Sequence, residues 1–334
     1  MEFFINYGLF LAKLISTLAI ILIALFALLN MFAHAKGKVK GQLEIQKLNE
    51  KYAEYNRTLS RVVKNKHEFK LQLKSQKKDY KQKKKLKEQS VKRIFVLNFH
   101  GDVHASSVEA LRTEVTALLT LANNQDEVFL RLESGGGTVH HYGLATSQLQ
   151  RIKAANIKLL VSVDKIAASG GYLMASVADC IIAAPFAIIG SIGVLAQLPN
   201  FHRFLQKKSI DFEQIAAGEY KRTLTLFGEN TEQGRAKIRQ EVEETHEIFK
   251  NFIKEHRKSV DIEKISTGEH WYASQAFHLK LIDKLITSDD YLFNASRTCD
   301  LYEINYRTKY SLGKRLAYSF RQACYQICSG TFIK

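Results

Sequence analysis

A serine stands between two alanines and two glycines at Ala167-Ala168-Ser169-Gly170-Gly171, after one apolar stretch and before a run of small residues. A serine at the start of a helix faces unpaired backbone N–H groups and the positive end of the helix dipole. Its hydroxyl can serve as a nucleophile, or as an N-cap at a tight strand-to-helix turn. The segment by itself leaves both open. A second cluster, Ser134-Gly135-Gly136-Gly137, ends another apolar stretch. Glycine lets a backbone approach a ligand closely and aim N–H groups at it. An oxyanion hole needs two such donors, and the N–H groups of Gly136 and Gly170 are the candidates. A mobile turn or a phosphate loop is the competing reading, although the dinucleotide fingerprint and the P-loop Lys-Ser/Thr are both absent.

A serine nucleophile needs a base. His100, His104, His140 and His141 keep a Ser–His–Asp arrangement open. The other candidate is Lys221, between a glycine-containing turn and a Thr-rich segment within 216–231. A lysine is a base only when neutral, so burial or a cationic neighbour such as Arg222 must disfavour its charge. Arginine cannot do this job. One lysine among so many is ordinarily a solvated surface charge.

The elements that must position these residues follow from periodicity. Residues 94–99, 127–132, 158–163 and 180–184 are short apolar runs that predict buried strands. Residues 107–122, 139–155 and 168–177 predict helices between them. This alternation predicts an α/β fold with a parallel sheet covered on both faces. A long helix is predicted over 231–254, with Thr231 as N-cap and Ile238, Val242, Ile248, Phe249, Phe252 and Ile253 on one face.

Upstream of this body the composition changes. Residues 14–32 are apolar except for Ser16, Thr17 and Asn30, and as a helix would span about 28 Å, close to a bilayer core. The run predicts a membrane anchor over 1–35. The competing signal peptide has Ala33-His34-Ala35 as a cleavage pattern but lacks a short apolar core and early basic residues. Residues 36–92 are expected to form a basic stalk, helical to about Val63 and solvated beyond. Between 61 and 93 there are 14 Lys or Arg against three Asp or Glu, so most of the formal charge of +16 belongs to one segment. That locality argues against nucleic acid as partner and favours a linker or an attraction to anionic lipid. Lysines 36, 38, 40, 47 and 51 follow the apolar run, which by charge alone places the body in the cytoplasm. The four cysteines have no metal-site or CxxC spacing.

Four segments in order, RLESGGGTVHHYGLATSQLQ, VDKIAASGGYLMASVAD, APFAIIGSIGV and GEYKRTLTLFGENTEQGR, resemble the signal peptide peptidase A family, most closely its SohB branch. The likeness spans nearly the whole chain and is densest over 93–290. It implies a crotonase-like α/β fold shared with the Clp protease subunit, in a peptidase domain over 93–295 followed by a basic, aromatic extension over 296–334. It implies a serine endopeptidase with a Ser/Lys dyad: Ser169 as nucleophile, Lys221 as base and Gly136 in the oxyanion hole. Ser191, in Gly-Ser-Ile-Gly, falls where a hydroxyl would orient the lysine amine. No metal or cofactor is implied. Substrates would be membrane-derived or unfolded hydrophobic peptides, the assembly a ring-like homo-oligomer, and the location the inner membrane with the body on its outer side. The rival readings are a crotonase-like acyl-CoA enzyme and an inactive membrane scaffold. This chain departs from the family in having Gly135 where proline is usual, which loosens the loop, and Lys280 where a turn glycine is usual. A positive φ at Lys280 would cost about 1 kcal/mol.

Overall fold

The computed structural model describes residues 7–18, 20, 41–72, 74 and 91–308. Most of the expected anchor, the basic run over 75–90 and the stretch over 309–334 lie outside the described residues. Residues 7–18 are helical. No helix among the described residues is long and apolar enough to cross a membrane. The chain divides into two units, Met1–Leu43 with Tyr306–Lys334, and Glu44–Asn305. The second contains every candidate catalytic residue.

In chain order the elements are β1 (Gly41–Lys47), α1 (Leu48–Val63), β2 (Arg93–Gly101), α2 (Val108–Leu119), β3 (Glu127–Ser134), α3 (Val139–Ala154), β4 (Lys158–Val163) and β5 (Ile166–Ala168). There follow α4 (Gly170–Ser176), β6 (Cys180–Ala183), β7 (Ile188–Gly190), α5 (His202–Lys207), α6 (Glu232–His256) and α7 (Ile262–Ile265). The last are β8 (His270–Tyr272), α8 (Ala273–His278), β9 (Lys284–Leu285), α9 (Ser288–Ala295) and β10 (Asp300–Thr308).

The main sheet has the order β1-β10-β2-β3-β4-β6-β9. The pairs from β10 through β9 are parallel. Val96, Leu97, Val128, Phe129, Leu130 and Val161 are completely buried. Consecutive strand residues point to opposite faces, so helices must cover both sides, as the unbroken apolar runs predict. The α/β expectation with a largely parallel sheet is met.

One feature of the topology was not predicted. Strand β3 forks. Glu127–Arg131 pair with Lys158–Ser162 of β4, whereas Ser134 pairs with Ala167 of β5. Strand β5 then pairs in parallel with β7, and β7 pairs antiparallel with β8. These branch strands have three residues each, too few for a periodic signal. The fork opens the sheet at the C-terminal end of β3, where the glycine cluster begins.

Two boundaries differ from those expected. The segment expected to be a stalk from 36 joins the body: Leu48 lies in a buried cluster with Ile94, Phe129, Leu292 and Leu301. Asn49 explains why. Its side-chain amide donates to the carbonyls of Ser296 and Cys299, and its Oδ1 accepts from Leu301 N. Likewise the C-terminal boundary at 295 moves, because β10 is a sheet strand flanked by β1 and β2. The long helix also differs. Thr231 does cap α6, accepting from Gly234 N at 3.1 Å. Only Phe249 and Ile253 of the expected apolar face are buried, and Ile248 is 70% exposed.

Lys280 adopts φ +60°. The turn is held by Arg257, which donates to Lys280 O and pairs both terminal guanidinium nitrogens with Asp283. Left-handed backbone disfavours a residue with a Cβ. Lys280→Gly is therefore expected to stabilise the protein by about 1 kcal/mol, read as a higher midpoint in urea unfolding.

Candidate active site

Ser169 sits at the junction of β5 and α4, and its backbone is strained: φ is +51° and ψ is −119°. A non-glycine residue held there costs of order 1–3 kcal/mol and persists only where its surroundings over-determine it. The surroundings are visible. Ser169 N donates to Gly190 O at 2.8 Å, and Ser169 O accepts from Leu173 N at 2.9 Å to start α4. The hydroxyl caps nothing, which removes the N-cap reading. A sharp, strained strand-to-helix turn that presents a serine hydroxyl is the geometry of a nucleophile elbow.

The glycine cluster lies directly against this turn. Gly136 has φ +89°, and a Cβ built on it would lie 2.7 Å from Ser169 Cβ and 2.8 Å from both Ala168 O and Gly170 N. Only glycine fits such an approach. Gly170 is equally confined, because a Cβ there would meet Tyr142 Cγ at 2.4 Å. As the first residue of α4, Gly170 has an N–H without an intrahelical acceptor. Gly136→Ala is expected to lower kcat about 100-fold or more and to cost about 1–3 kcal/mol of stability, checked by turnover and thermal melting.

Ser191 comes to the same place. Ala168 of β5 is the register partner of Gly190 of β7, so Ser169 and Ser191 follow adjacent strand ends. Ser191 also has a positive φ, +52°, and its N–H donates to Glu269 O. The fork therefore gathers Ser169, Gly136, Gly170 and Ser191.

Lys221 makes no hydrogen bond to any of them. It is exposed, in a turn closed by its own N–H donating to Gly218 O at 3.1 Å, and no hydrogen bond links it to Ser169. The surrounding segment exposes large apolar side chains: Leu195 is 75%, Phe204 59% and Ile215 98% exposed. A cavity of about 680 Å³ runs along it, lined by Leu198, Arg203, Thr223, Leu224 and Arg235, and none of the gathered residues borders it. The histidines do not replace the lysine. His141 Nδ1 bonds Thr138 Oγ1 at 2.6 Å and His100 faces Glu133 at 3.7 Å. No histidine among the described residues hydrogen-bonds Ser169.

Sequence reasoning missed Ser134 and Tyr142. Ser134 Oγ accepts from Gly136 N at 3.0 Å and lies 2.5 Å from Tyr142 Oη, which donates to Asp102 O at 2.8 Å. Burial pushes the Tyr142 phenol above its ordinary value; the bond to Ser134 opposes this and the Asp102 charge adds to it. The phenol therefore stays protonated. The available signal was a tyrosine on the apolar face of α3, in step with Leu149, since a buried phenol must find an acceptor.

Residues 2–149 match the N-terminal part of peptidase family S49, and residues 151–301 match peptidase family S49 itself. The sequence is 46% identical over 321 residues to "Probable protease SohB" of Haemophilus influenzae, covering 93% of this chain and 91% of that one. The chain belongs to peptidase family S49. A second "Probable protease SohB", from Buchnera aphidicola of Acyrthosiphon pisum, is 48% identical over 92% of this chain and 90% of its own. "Protease 4" of Haemophilus influenzae is 27% identical over 58% of this chain. This S49 protein is thus a protease of the SohB type.

Proposed function

We propose that this S49 protease is a membrane-associated serine endopeptidase in which Ser169 is the nucleophile and Lys221 the base. The observation that carries the reading is Ser169 itself, strained at φ +51° with a hydroxyl that caps nothing and with Gly136 pressed against it. Lys221 Nζ takes the Ser169 hydroxyl proton as Oγ bonds to the substrate carbonyl carbon. N–H groups of Gly136 and Gly170 stabilise the resulting oxyanion. The lysine returns its proton to the leaving amine as the C–N bond breaks. Water, deprotonated by the same lysine, then bonds to the acyl carbon, the bond to Ser169 Oγ breaks, and the lysine returns the proton to that oxygen. Ser191 orients the lysine amine.

A lysine is neutral only where its charge is disfavoured, so exposed Lys221 has to be covered before it acts. Its segment carries more exposed apolar side chain than a solvated turn needs. A second copy of the chain, in a ring-like homo-oligomer, supplies that cover in this reading. Substrates are membrane-derived or unfolded hydrophobic peptides, reached from the outer side of the inner membrane. Gly136 N–H already donates to Ser134 Oγ, so the oxyanion shares that donor with Ser134. A charged oxygen is the stronger acceptor.

The test is labelling with a fluorophosphonate serine reagent during cleavage of an unfolded protein. Label on Ser169 with parallel loss of cleavage is expected. Cleavage that persists after complete labelling, or absence of label on Ser169, rejects the assignment. Acyl-CoA turnover by the unlabelled protein would indicate the crotonase-like alternative. Protease digestion of spheroplasts locates the body: protection of residues 93–295 would place it in the cytoplasm.

A further inference from the structure

We propose that Ser134 and Tyr142 are positioning residues: their hydroxyls form a buried relay that holds the glycine loop in its catalytic shape, the rigidity that Gly135 does not provide. The inference rests on Ser169 being the nucleophile. Its basis is the direction of three hydrogen bonds. The single phenolic proton of Tyr142 goes to Asp102 O, so the Ser134 proton points to Tyr142 Oη, and Ser134 Oγ is left to accept from Gly136 N–H. Ser134 is 1% exposed and Tyr142 is fully buried, so no water replaces either partner.

The far end of the relay is itself fixed. The Asp102 carboxylate accepts from the N–H groups of His104 and Ser106 and from Ser106 Oγ, which closes the 102–106 turn and sets the direction of Asp102 O. The next carbonyl, Val103 O, accepts from Thr138 N at 2.9 Å, and a Cβ on Gly137 would lie 2.1 Å from it. The loop is thus gripped at Gly136 through Ser134 and at Thr138 through Val103, with the three glycines lying between Ser134 and Thr138. A side-chain oxygen that accepts from the N–H two residues on fixes the intervening peptides. Here those peptides lead to Gly136, whose placement against Ser169 decides where the oxyanion sits. Tyr142 also packs its ring on Gly170, so one side chain touches one oxyanion candidate and reaches the other through Ser134 Oγ.

The loop meets the reacting carbonyl most strongly in the transition state, so loosening it lowers kcat and leaves KM unchanged. Tyr142→Phe and Ser134→Ala are each expected to lower kcat about tenfold or more. The decisive variant is Gly135→Pro. Gly135 has no positive φ, and a Cβ there would touch only Ile166 Cδ1, at 3.8 Å. Proline stiffens the same peptide by a different means. Adding Gly135→Pro to Tyr142→Phe or to Ser134→Ala is expected to restore kcat to that of Gly135→Pro alone. Wild-type kcat in both single variants would overturn the proposal. So would a rise in kcat in Ser134→Ala, which would make Ser134 a competitor for the Gly136 N–H. A defect that proline does not repair, or a Tyr142→Phe protein unfolded at the assay temperature, would also count against it, the latter by assigning the relay to the core. Fluorophosphonate labelling of wild-type Ser169 separates the two failures: without label the nucleophile assignment fails, and with label the kcat values judge the relay.

Discussion

Ser169→Ala lowers kcat for peptide cleavage by about 1,000-fold or more, the scale on which losing a nucleophile leaves only the oxyanion hole and binding. The substitution keeps φ +51° and the backbone bonds to Gly190 O and from Leu173 N, so the fold is retained. Ser169→Gly is equally inactive, but it releases the strain of a Cβ in a left-handed conformation and is expected to be more stable than Ser169→Ala by about 1 kcal/mol. Kinetics on an unfolded substrate and urea unfolding of the three proteins check both halves. Near-wild-type cleavage by either variant rejects Ser169 as nucleophile. Equal stability of the two variants removes the claim that strain is stored at the turn. Stability gained by removing a catalytic group is the expected trade-off at a functional site.

Lys221→Ala lowers kcat about 100- to 10,000-fold, the range lost with a general base, and leaves the melting temperature unchanged because the side chain is exposed. Lys221→Arg is expected to be as inactive as Lys221→Ala, since a guanidinium keeps its proton. Activity per chain rises with protein concentration if a second copy covers the 195–227 segment. An active Lys221→Arg protein would assign the segment a binding role and require another base.

The contrast between these residues reflects how a site is spread along a chain. Strand β4 spans the predicted 158–163, and helices α3 and α4 fall within the predicted ranges, because each is long or regular enough to show its own periodicity. The glycine cluster and the Ala-Ala-Ser-Gly-Gly turn were legible for another reason. Close backbone approach demands small residues locally, and Gly136 and Gly170 prove to be the points of closest approach. Ile248 shows the limit. It has the spacing expected of a buried residue in α6 yet is exposed, because the adjoining face that carries Phe249 and Ile253 is the one that is buried.

The amino-acid sequence by itself determined the α/β alternation, the serine at a strand-to-helix junction and the glycines that crowd it, all consequences of contacts made within a few residues. Only the tertiary structure decided that β3 forks toward β5, that Asn49 ties α1 to the body, and that Ser134 and Tyr142 connect Gly136 to Asp102. These depend on pairings between residues as much as 252 positions apart, and no periodicity records them. It also left Lys221 on the surface, because nothing among the described residues buries that segment.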